Sequence, residues 1–294
     1  MQQEEQRIDG HTRVCGLIGN PVEHTMSPII HNTLAKKEGR NLIYVPFHVE
    51  NGRVGEAVKG AFALNVLGLN VTVPYKSEVL EHLDGMDGMA EKIGAVNTLV
   101  RTDKGYKGYN TDVTGLYRAM CSEGIRLEGE EILILGAGGA ARAAAFLCAS
   151  KGAKKVYILN RTAEKAEGVA EEVNRAFRTE CVRAMRMGDY KNLGTDRKYL
   201  AIQATSVGLY PDKEKAVIME REFYEMIHTG FDLIYKPFRT KFMSMVQEAG
   251  GQAFHGLKML LYQGIEAYEL WNGIAVPEKD ALALYRTLLE YMGI

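Results

Sequence analysis

The sequence has few cysteines, and none of them are spaced as a pair. Its four cysteines are Cys15, Cys121, Cys148 and Cys181, and they form no C-x-x-C motif. Widely spaced cysteines of this kind are typical of free thiols in a reducing compartment. We therefore expect no disulfide framework and no metal site.

Two further features are missing, a long apolar run and a block of like charge. No apolar run approaches the roughly 18 residues of a membrane span, and residues 1–11 are too polar for a secretory signal. The 36 Lys and Arg residues nearly balance the 37 Asp and Glu residues, for a formal net charge of −1. Nucleic acid and anionic membranes are thus not expected partners. These absences predict a cytoplasmic protein.

The sequence does contain a glycine-rich turn between an apolar run and an alanine-rich stretch. Residues 132–135 suit a buried parallel strand, and Gly136, Gly138 and Gly139 follow before the alanines. Glycines let a pyrophosphate approach the amides at the positive end of a helix. Ala141 stands where a third glycine would be and still permits close packing. We predict a phosphate-binding strand–turn–helix motif, with an ordinary turn as the alternative.

The residues after the next predicted strand, 156–159, indicate which dinucleotide is bound. An NAD-binding protein has an Asp or Glu at this point for the ribose hydroxyl. Here the strand is followed by Asn160, Arg161 and Thr162, with Lys165 one turn later. A guanidinium matches a 2′-phosphate that a carboxylate would repel, so we predict NADP. The alternative is that Arg161 and Lys165 are solvated charges at a helix start.

Apolar runs and helical patterns alternate along the chain, which is typical of an α/β protein. In the first part, strands are predicted at residues 14–18, 42–49, 69–73, 95–101 and 106–109. Helices are predicted there at residues 28–38, 54–67 and 77–93, the last interrupted near 84–88. After a helix at 113–122, strands are predicted at residues 132–135, 156–159, 182–187, 200–204, 231–235 and 252–254. Six strands are expected of a doubly wound nucleotide-binding sheet.

Two final helices, at residues 257–272 and 277–291, are expected to fold back on the first domain because the second sheet is already complete. We therefore predict two α/β domains with a cleft between them. The first is a discontinuous substrate domain, residues 1–112 plus 257–294. The second is a Rossmann-type, doubly wound NADP-binding domain, residues 113–256.

Two hydroxyls precede the first predicted helix. Thr25 and Ser27 are separated by one residue just ahead of Pro28. A serine before proline is a good helix cap, which is the alternative role for Ser27. Because hydroxyl and backbone donors converge at a helix start, the pair could instead hold a substrate anion.

Lys76 and Asp112 are candidates for a proton-transfer pair. Thr72 and Lys76 lie near the end of a predicted strand, where open α/β sheets bind ligands. Asp112 starts the helix that leaves the first domain, and a helix cap is its alternative role. The carboxylate would orient the ammonium and bond a substrate hydroxyl. Asn97, predicted inside an apolar strand, needs a polar partner from the protein or a ligand.

These residues stand in motifs that resemble the shikimate dehydrogenase family from about Val14 to the last helix. The motifs, in order, are the hydroxyl pair before S-P, N-V-T-V-P-Y-K, G-A-V-N-T, N-T-D, G-A-G-G-A, N-R-T, A-T-S-V-G and H-G-L-K-M-L-L-Y-Q-G. Each is weak alone, but together they are specific. The resemblance implies an oxidoreductase that reversibly reduces 3-dehydroshikimate to shikimate with NADPH, in chorismate and aromatic amino acid biosynthesis.

The resemblance also implies residue roles in substrate binding. Thr25 and Ser27 would hold the substrate carboxylate with Tyr235 nearby, and Thr25 replaces a more usual serine. The ring hydroxyls would be surrounded by Thr72, Lys76, Asn97, Asp112 and Gln263. Lys76 and Asp112 would be the catalytic pair.

For the cofactor, the resemblance implies three groups of residues. The pyrophosphate would be bound by Gly136, Ala137, Gly138, Gly139 and Ala140. The 2′-phosphate would be bound by Asn160, Arg161, Thr162 and Lys165, the last standing where arginine is frequent. The nicotinamide side would be lined by Thr205, Leu233 and Gly256.

Several alternatives remain open at this point. The methyl group of Thr25 changes the pocket shape, so a quinate or dual-specificity dehydrogenase is possible, as is an enzyme for aminoshikimate. A non-catalytic sensor of nucleotide or shikimate is the alternative from another class, although the intact Lys76 and Asp112 argue against it. A homodimer is possible. Gln203 stands where asparagine is expected, and its effect on the cofactor path is open.

Overall fold

The computed structural model describes residues 8–194 and 196–294. By internal contacts the chain divides into two units, Met1–Gly115 with Leu261–Ile294, and Leu116–Leu260. The predicted domain bounds, 1–112 with 257–294 and 113–256, lie within a few residues of these. That these two segments are separate folding domains, and that a cleft lies between them, stays a prediction.

A mixed sheet of six strands forms the first unit. Its strands are β1 (Arg13–Gly19), β2 (Leu42–His48), β3 (Gly68–Val71), β4 (Gly85–Met86), β5 (Thr98–Arg101) and β6 (Tyr106–Tyr109). Their order across the sheet is β2-β1-β3-β5-β6-β4. β1 pairs in parallel with β2 and β3, whereas β5 runs antiparallel to β3 and β6.

The helices follow in chain order through both units. They are α1 (Ser27–Lys37), α2 (Val54–Ala63), α3 (Gly88–Ile93), α4 (Thr111–Ser122), α5 (Gly139–Ser150), α6 (Ala163–Phe177), α7 (Arg221–Glu225), α8 (Lys241–Glu248), α9 (Leu257–Asn272) and α10 (Glu278–Met292). Two short 3₁₀ helices, Glu78–His82 and Met187–Asn192, complete the set.

The last two helices contact the first sheet and its first helix. Trp271 of α9 donates its indole N–H to the carbonyl of Leu99 at 2.9 Å. A Cβ on Gly68 would lie 2.0 Å from Trp271 Nε1, so only glycine leaves room for the indole here. Lys37 Nζ of α1 lies 2.6 Å from Asp280 Oδ1 of α10. The chain end is thus packed on the first sheet.

The second unit is built on a parallel sheet of six strands. They are β7 (Glu131–Leu135), β8 (Lys155–Asn160), β9 (Val182–Arg186), β10 (Tyr199–Gln203), β11 (Ile227–Asp232) and β12 (Gln252–Phe254). The strand order is β12-β11-β10-β7-β8-β9. β7, the first of these strands in the chain, therefore lies in the middle of the sheet, and later strands are added on both sides of it. The predicted doubly wound sheet is confirmed.

Some predicted boundaries are wrong, and local hydrogen bonds explain why. β11 ends at Asp232 rather than at 235, because the Asp232 carboxylate accepts the amide of Ile234 at 2.9 Å and turns the chain. Asn97 lies just before β5 and not inside it. α2 ends at Ala63 because Asn65 adopts a left-handed conformation with φ of 59°.

The predicted helix over residues 77–93 is also different in the structure. It consists of the 3₁₀ helix Glu78–His82, strand β4 and helix α3. The predicted interruption near 84–88 is therefore a two-residue strand, Gly85–Met86, which pairs with β6.

Candidate active site

Lys76, Asn97 and Asp112 come together in the first unit. Lys76 Nζ lies 2.5 Å from Asp112 Oδ2, and Asn97 Nδ2 donates to Asp112 Oδ1 at 3.0 Å. Each carboxylate oxygen therefore has its own donor, which fixes the orientation of the carboxylate. The side chains of Lys76 and Asp112 are 32% and 19% exposed, so the ammonium is paired yet remains accessible to a ligand.

Three separate segments place this trio. Lys76 lies in the turn after β3, and its carbonyl accepts the amide of Val96 at 2.9 Å. Asp112 is in the first turn of α4, where a negative side chain is stabilised by the helix dipole. The amide oxygen of Asn97 accepts the N–H of Thr111 at 2.7 Å, one of the donors that a helix start leaves unpaired. The polar partners that Asn97 requires are thus Thr111 and Asp112.

A network of buried hydrogen bonds connects Asn97 to Tyr44. Tyr44 donates its hydroxyl to Asn70 Oδ1 at 2.8 Å, and Asn70 Nδ2 donates to Thr98 Oγ1 at 3.0 Å. The hydroxyls of Thr98 and Thr111 lie 3.1 Å apart, and Thr111 contacts Asn97. Every step joins buried groups whose hydrogen-bonding capacity must be satisfied inside the protein.

Thr25 and Ser27 also contact each other. Thr25 donates to Ser27 Oγ at 3.1 Å and accepts the Ser27 amide at 3.2 Å. The cap interpretation of Ser27 is wrong, because α1 begins at Ser27 and its N-cap residue is Met26. Burial raises the pKa of Tyr44 well above its usual range, and a side-chain hydrogen bond with Ser27 opposes that shift. Ser27 therefore lies close to Tyr44, a member of the network that reaches Asn97.

Thr72 and Gln263 each pack against a glycine of the first unit. Thr72 follows β3, and a Cβ on Gly19 would lie 2.2 Å from its methyl carbon. A Cβ on Gly115 would lie 2.7 Å from Gln263 Cβ. Since Gly115 is one helical turn beyond Asp112, its lack of a side chain brings Gln263 of α9 beside α4.

In the second unit, the predicted cofactor residues follow the carboxyl ends of parallel strands. The glycine turn, residues 136–140, follows β7. Residues 160–165 begin at the last residue of β8 and continue beyond it. Thr205 follows β10, Leu233 follows β11 and Gly256 follows β12. Carboxyl ends of neighbouring parallel strands meet at one edge of a sheet. The strand order reverses between β7 and β10, which is where such sheets bind ligands.

The glycine turn fits a dinucleotide phosphate. A Cβ on either Gly138 or Gly139 would meet nothing within 4 Å, so open space lies in front of the first turn of α5. The cap residue Gly138 offers no side-chain hydrogen bond to the amides there. Gly136 has a φ of +110°, and a Cβ on it would lie 2.9 Å from the methyl carbon of Thr205. These are the properties required for binding an anion at a helix start.

Gln203 organises the turn that faces this glycine. Its Oε1 accepts the amide of Thr205 at 2.6 Å and the Thr205 hydroxyl at 2.8 Å. Its Nε2 donates to the carbonyl of Val207 at 3.1 Å. Gln203 therefore folds the 204–207 turn against Gly136, a role that the sequence did not reveal.

Asp232 fixes the chain at the end of the neighbouring strand, β11. It is buried, and it accepts the hydroxyl of Thr240 at 2.6 Å in addition to the amide of Ile234. Burial raises the pKa of Asp232 to about 7, while the bonds from Thr240 and Ile234 act in the opposite direction. Next to it, a Cβ on Gly256 would lie 2.2 Å from the carbonyl oxygen of Leu233, so these two predicted residues are in contact.

Tyr235 and the cations predicted for the 2′-phosphate lie in the same unit. Tyr235 follows the end of β11, and burial raises its pKa. Asn160 Nδ2 donates to the carbonyl of Thr162 at 2.8 Å, which shapes the turn into α6. Arg161 and Lys165 are exposed at the start of that helix.

A candidate metal group and a membrane-spanning helix are both absent from the described residues. Among those residues, no three or more His, Cys, Asp or Glu side chains form a group that could hold a metal ion. None of the described helices is long and apolar enough to cross a membrane. All four cysteines are free.

Three family models match successive parts of the chain. The shikimate dehydrogenase substrate binding domain matches residues 17–99, and the shikimate/quinate 5-dehydrogenase model matches residues 119–192. The shikimate 5′-dehydrogenase C-terminal domain matches residues 256–283. The chain is also 42% identical over 271 residues to the shikimate dehydrogenase (NADP(+)) of Methanothermobacter thermautotrophicus, covering 90% of this chain and 93% of that one.

Solved structures give the same result. The shikimate 5-dehydrogenase of Listeria monocytogenes in complex with shikimate and NAD has a TM-score of 0.89 and 32% identity, covering 96% of this chain and 98% of that one. The Thermus thermophilus enzyme in complex with NADP(H) and shikimate has a TM-score of 0.82 and 31% identity, covering 94% and 99%. The similarity thus spans both units.

Proposed function

The chain belongs to the shikimate dehydrogenase family, and from that premise we propose how its residues carry out the reaction. The reaction is the reversible, NADPH-dependent reduction of 3-dehydroshikimate to shikimate in aromatic amino acid biosynthesis. The single observation that carries our assignment of the chemistry is the contact of Lys76 with Asp112, whose second oxygen is held by Asn97.

Reduction of a ketone adds a hydride to carbon and a proton to oxygen. NADPH, when bound, supplies the hydride. The Lys76 ammonium stabilises the negative charge that develops on oxygen and donates the proton. In the reverse direction Lys76 accepts that proton, so oxidation of shikimate is favoured at higher pH. Asp112 orients the ammonium and bonds a ring hydroxyl, and Asn97 keeps the carboxylate from rotating away.

We assign substrate binding to side chains near this pair. Thr25 and Ser27 bind the substrate carboxylate through their adjacent hydroxyls, and for Tyr235 we keep the role near the carboxylate that the family resemblance implies. The ring hydroxyls are bound by Thr72, Lys76, Asn97, Asp112 and Gln263. Support for the carboxylate site comes from the 3.1 Å contact between the Thr25 and Ser27 hydroxyls, which puts two hydroxyl groups side by side.

We assign cofactor binding to the carboxyl edge of the second sheet. Residues 136–140 bind the pyrophosphate at the open start of α5, and Asn160, Arg161, Thr162 and Lys165 bind the 2′-phosphate. Thr205, Leu233 and Gly256 line the nicotinamide side. The open space at Gly138 and Gly139 supports this assignment, because a side chain at either position would occupy it.

We also propose a cytoplasmic location and a homodimer. Four free cysteines fit a reducing compartment. A size-exclusion experiment with light scattering determines whether the chain is a dimer.

Replacement of Lys76 tests the chemical assignment. In Lys76→Ala we expect kcat for shikimate oxidation to fall by a factor of about 10² to 10⁴, the usual range for a general acid or base. Calorimetric titration should still detect shikimate binding, since the hydroxyls of Thr25 and Ser27 are intact. Lys104→Ala, which removes an exposed charge in the β5–β6 turn of the same unit, is the control. Normal kcat in Lys76→Ala would contradict the assignment.

A further inference from the structure

Arg186 is the last residue of β9, and it belongs to none of the sequence motifs described above. β9 runs parallel to β8, and the register of the pair places Arg186 directly opposite Asn160. Neighbouring strands lie about 5 Å apart, so the two backbones are adjacent at the carboxyl edge of the sheet. Asn160 is followed by Arg161 and Thr162, the residues assigned to the 2′-phosphate.

The side chain of Arg186 is on the same sheet face as that of Asn160. Leu159 and its register partner Met185 pack into one core cluster together with side chains of α7 and α8. Successive side chains of a strand alternate between faces, so Asn160 and Arg186 point to the opposite face. No described side chain of α5 or α6 belongs to that cluster, and the two helices contact each other through Phe146 and Phe177, so we place both on the opposite face. Arg186 therefore shares its face with the helix that begins at Ala163.

Arg161, Lys165 and Arg186 are all exposed. Arg53 and Arg221 each pair with a glutamate on the same helix. In the described part of the chain, by contrast, no carboxylate forms an ion pair with Arg161, Lys165 or Arg186. Three cations at one edge of the sheet favour the binding of a dianion there.

We propose that Arg186 is a further specificity-determining residue, a third cation that binds the adenosine 2′-phosphate. This inference rests on the proposed cofactor site and extends it from the β8 end to the neighbouring strand. Guanidinium groups bind phosphate oxygens in a fork geometry, and the phosphate is the group that distinguishes NADP from NAD. Preference for NADP is then shared between two strands of the sheet.

Binding of NADP⁺ and NAD⁺ to the free protein, measured by isothermal titration calorimetry, tests the proposal. In Arg186→Ala we expect the Kd for NADP⁺ to rise about tenfold and the Kd for NAD⁺ to stay unchanged. Arg186→Lys, which keeps the charge, should weaken NADP⁺ binding less than Arg186→Ala does. Circular dichroism of each variant checks the fold. Equal losses for both cofactors would assign Arg186 to the adenine, and no loss would remove it from the site; either result overturns the proposal.

Two further variants separate this proposal from the cofactor site itself. Arg183→Ala removes the same charge from the same strand, but Arg183 pairs with Tyr157 on the opposite face, so NADP⁺ binding should not change. Arg161→Ala should weaken NADP⁺ binding far more than NAD⁺ binding. If Arg161→Ala has no selective effect, the 2′-phosphate site fails. If Arg161→Ala is selective and Arg186→Ala is not, only the role of Arg186 fails.

Discussion

At the scale of single residues, Thr25 makes two contacts through one hydroxyl. It donates to Ser27 Oγ and accepts the Ser27 amide, so the hydroxyl group has a fixed position. A substrate carboxylate bound there is bound equally in the ground state and the transition state, because it does not take part in the chemistry. Loss of the hydroxyl should therefore affect KM more than kcat.

Thr25→Val, which keeps the shape and removes the hydroxyl, tests this role. We expect the KM for shikimate to rise about tenfold, as for loss of a hydrogen bond to a charged group, with kcat little changed. Thr25→Ser keeps the hydroxyl and should retain the wild-type KM, which makes it the matched control. Initial rates at varied shikimate concentration give both constants. A wild-type KM in Thr25→Val would show that Thr25 does not bind the carboxylate.

The sequence predicts some site residues better than others. Lys76 and Asp112 stand out because each is a charged group at a strand or helix end, and the structure brings them into contact. Tyr44 and Asn70 were missed, since their roles depend on contacts between residues 26 positions apart. The polar Asn70 within the apolar run of β3 was the available signal.

At the scale of elements, α9 and β3 fit together only because Gly68 has no side chain. The Trp271 indole occupies the space that a Cβ would fill and donates to Leu99 of β5. Trp271 is buried, so it has little room to move away. An added methyl group therefore has to displace the helix or the strand.

Gly68→Ala should lower the free energy of unfolding by about 1–3 kcal/mol, the usual cost of overpacking. Urea unfolding followed by tryptophan fluorescence measures it, since Trp271 is the only tryptophan. Gly60→Ala is the control, because Gly60 lies within α2 and a Cβ there would meet nothing within 4 Å. That variant should gain up to about 1 kcal/mol in helix propensity. Equal stability of the two variants would contradict the packing argument.

Element types were easier to predict than their ends. The six parallel strands were all predicted, and β7, β8 and β10 are the clearest because each contains a short apolar run. The end of β11 was missed because a side chain, that of Asp232, turns the chain by accepting the amide of Ile234. Gln203 folds the next turn in a similar way through Thr205. Side-chain bonds to nearby backbone leave no periodic signal in the sequence.

At the scale of the whole molecule, one buried histidine links stability to pH. His31 is 0% exposed, and its ring stacks on that of Tyr44 at 4.2 Å. Burial lowers the pKa of His31 to about 3. The unfolded chain binds this proton near pH 6.5, so between about pH 6.5 and 3 the unfolded state holds a proton that the folded state lacks. The His31 contribution therefore makes the protein less stable as the pH falls through that window.

His31→Phe should flatten this dependence while keeping an aromatic ring against Tyr44. We expect the free energy of unfolding in urea to fall less steeply from pH 7 to pH 4 than in the wild type. Asp232 contributes in the opposite sense, because its raised pKa means that the folded state holds a proton that the unfolded state releases above about pH 4. Since Asp232 is present in both proteins, the difference isolates His31. Parallel curves would contradict the argument.

The chain as a whole was predictable because two kinds of signal agree. Strand and helix periodicity gave two α/β parts, and the motifs around Lys76 and Gly136 gave the family. The hairpin of β5 and β6 was predictable and is confirmed, whereas the antiparallel pairing of β5 with β3 was not, since it joins residues distant in sequence such as Asn70 and Thr98. Such registers depend on tertiary packing rather than on local pattern.

Shikimate and NADP⁺ are the substrate and cofactor that we expect this protein to use in the oxidation direction. Initial rates of reduced-nicotinamide absorbance with shikimate or quinate, each with NADP⁺ or NAD⁺, test this expectation most directly. We expect the rate with shikimate and NADP⁺ to be much higher than the rates with the other three combinations. Comparable rates with quinate would instead indicate a dual-specificity enzyme, and faster turnover with NAD⁺ would contradict the 2′-phosphate site. No turnover in any combination would contradict the account as a whole.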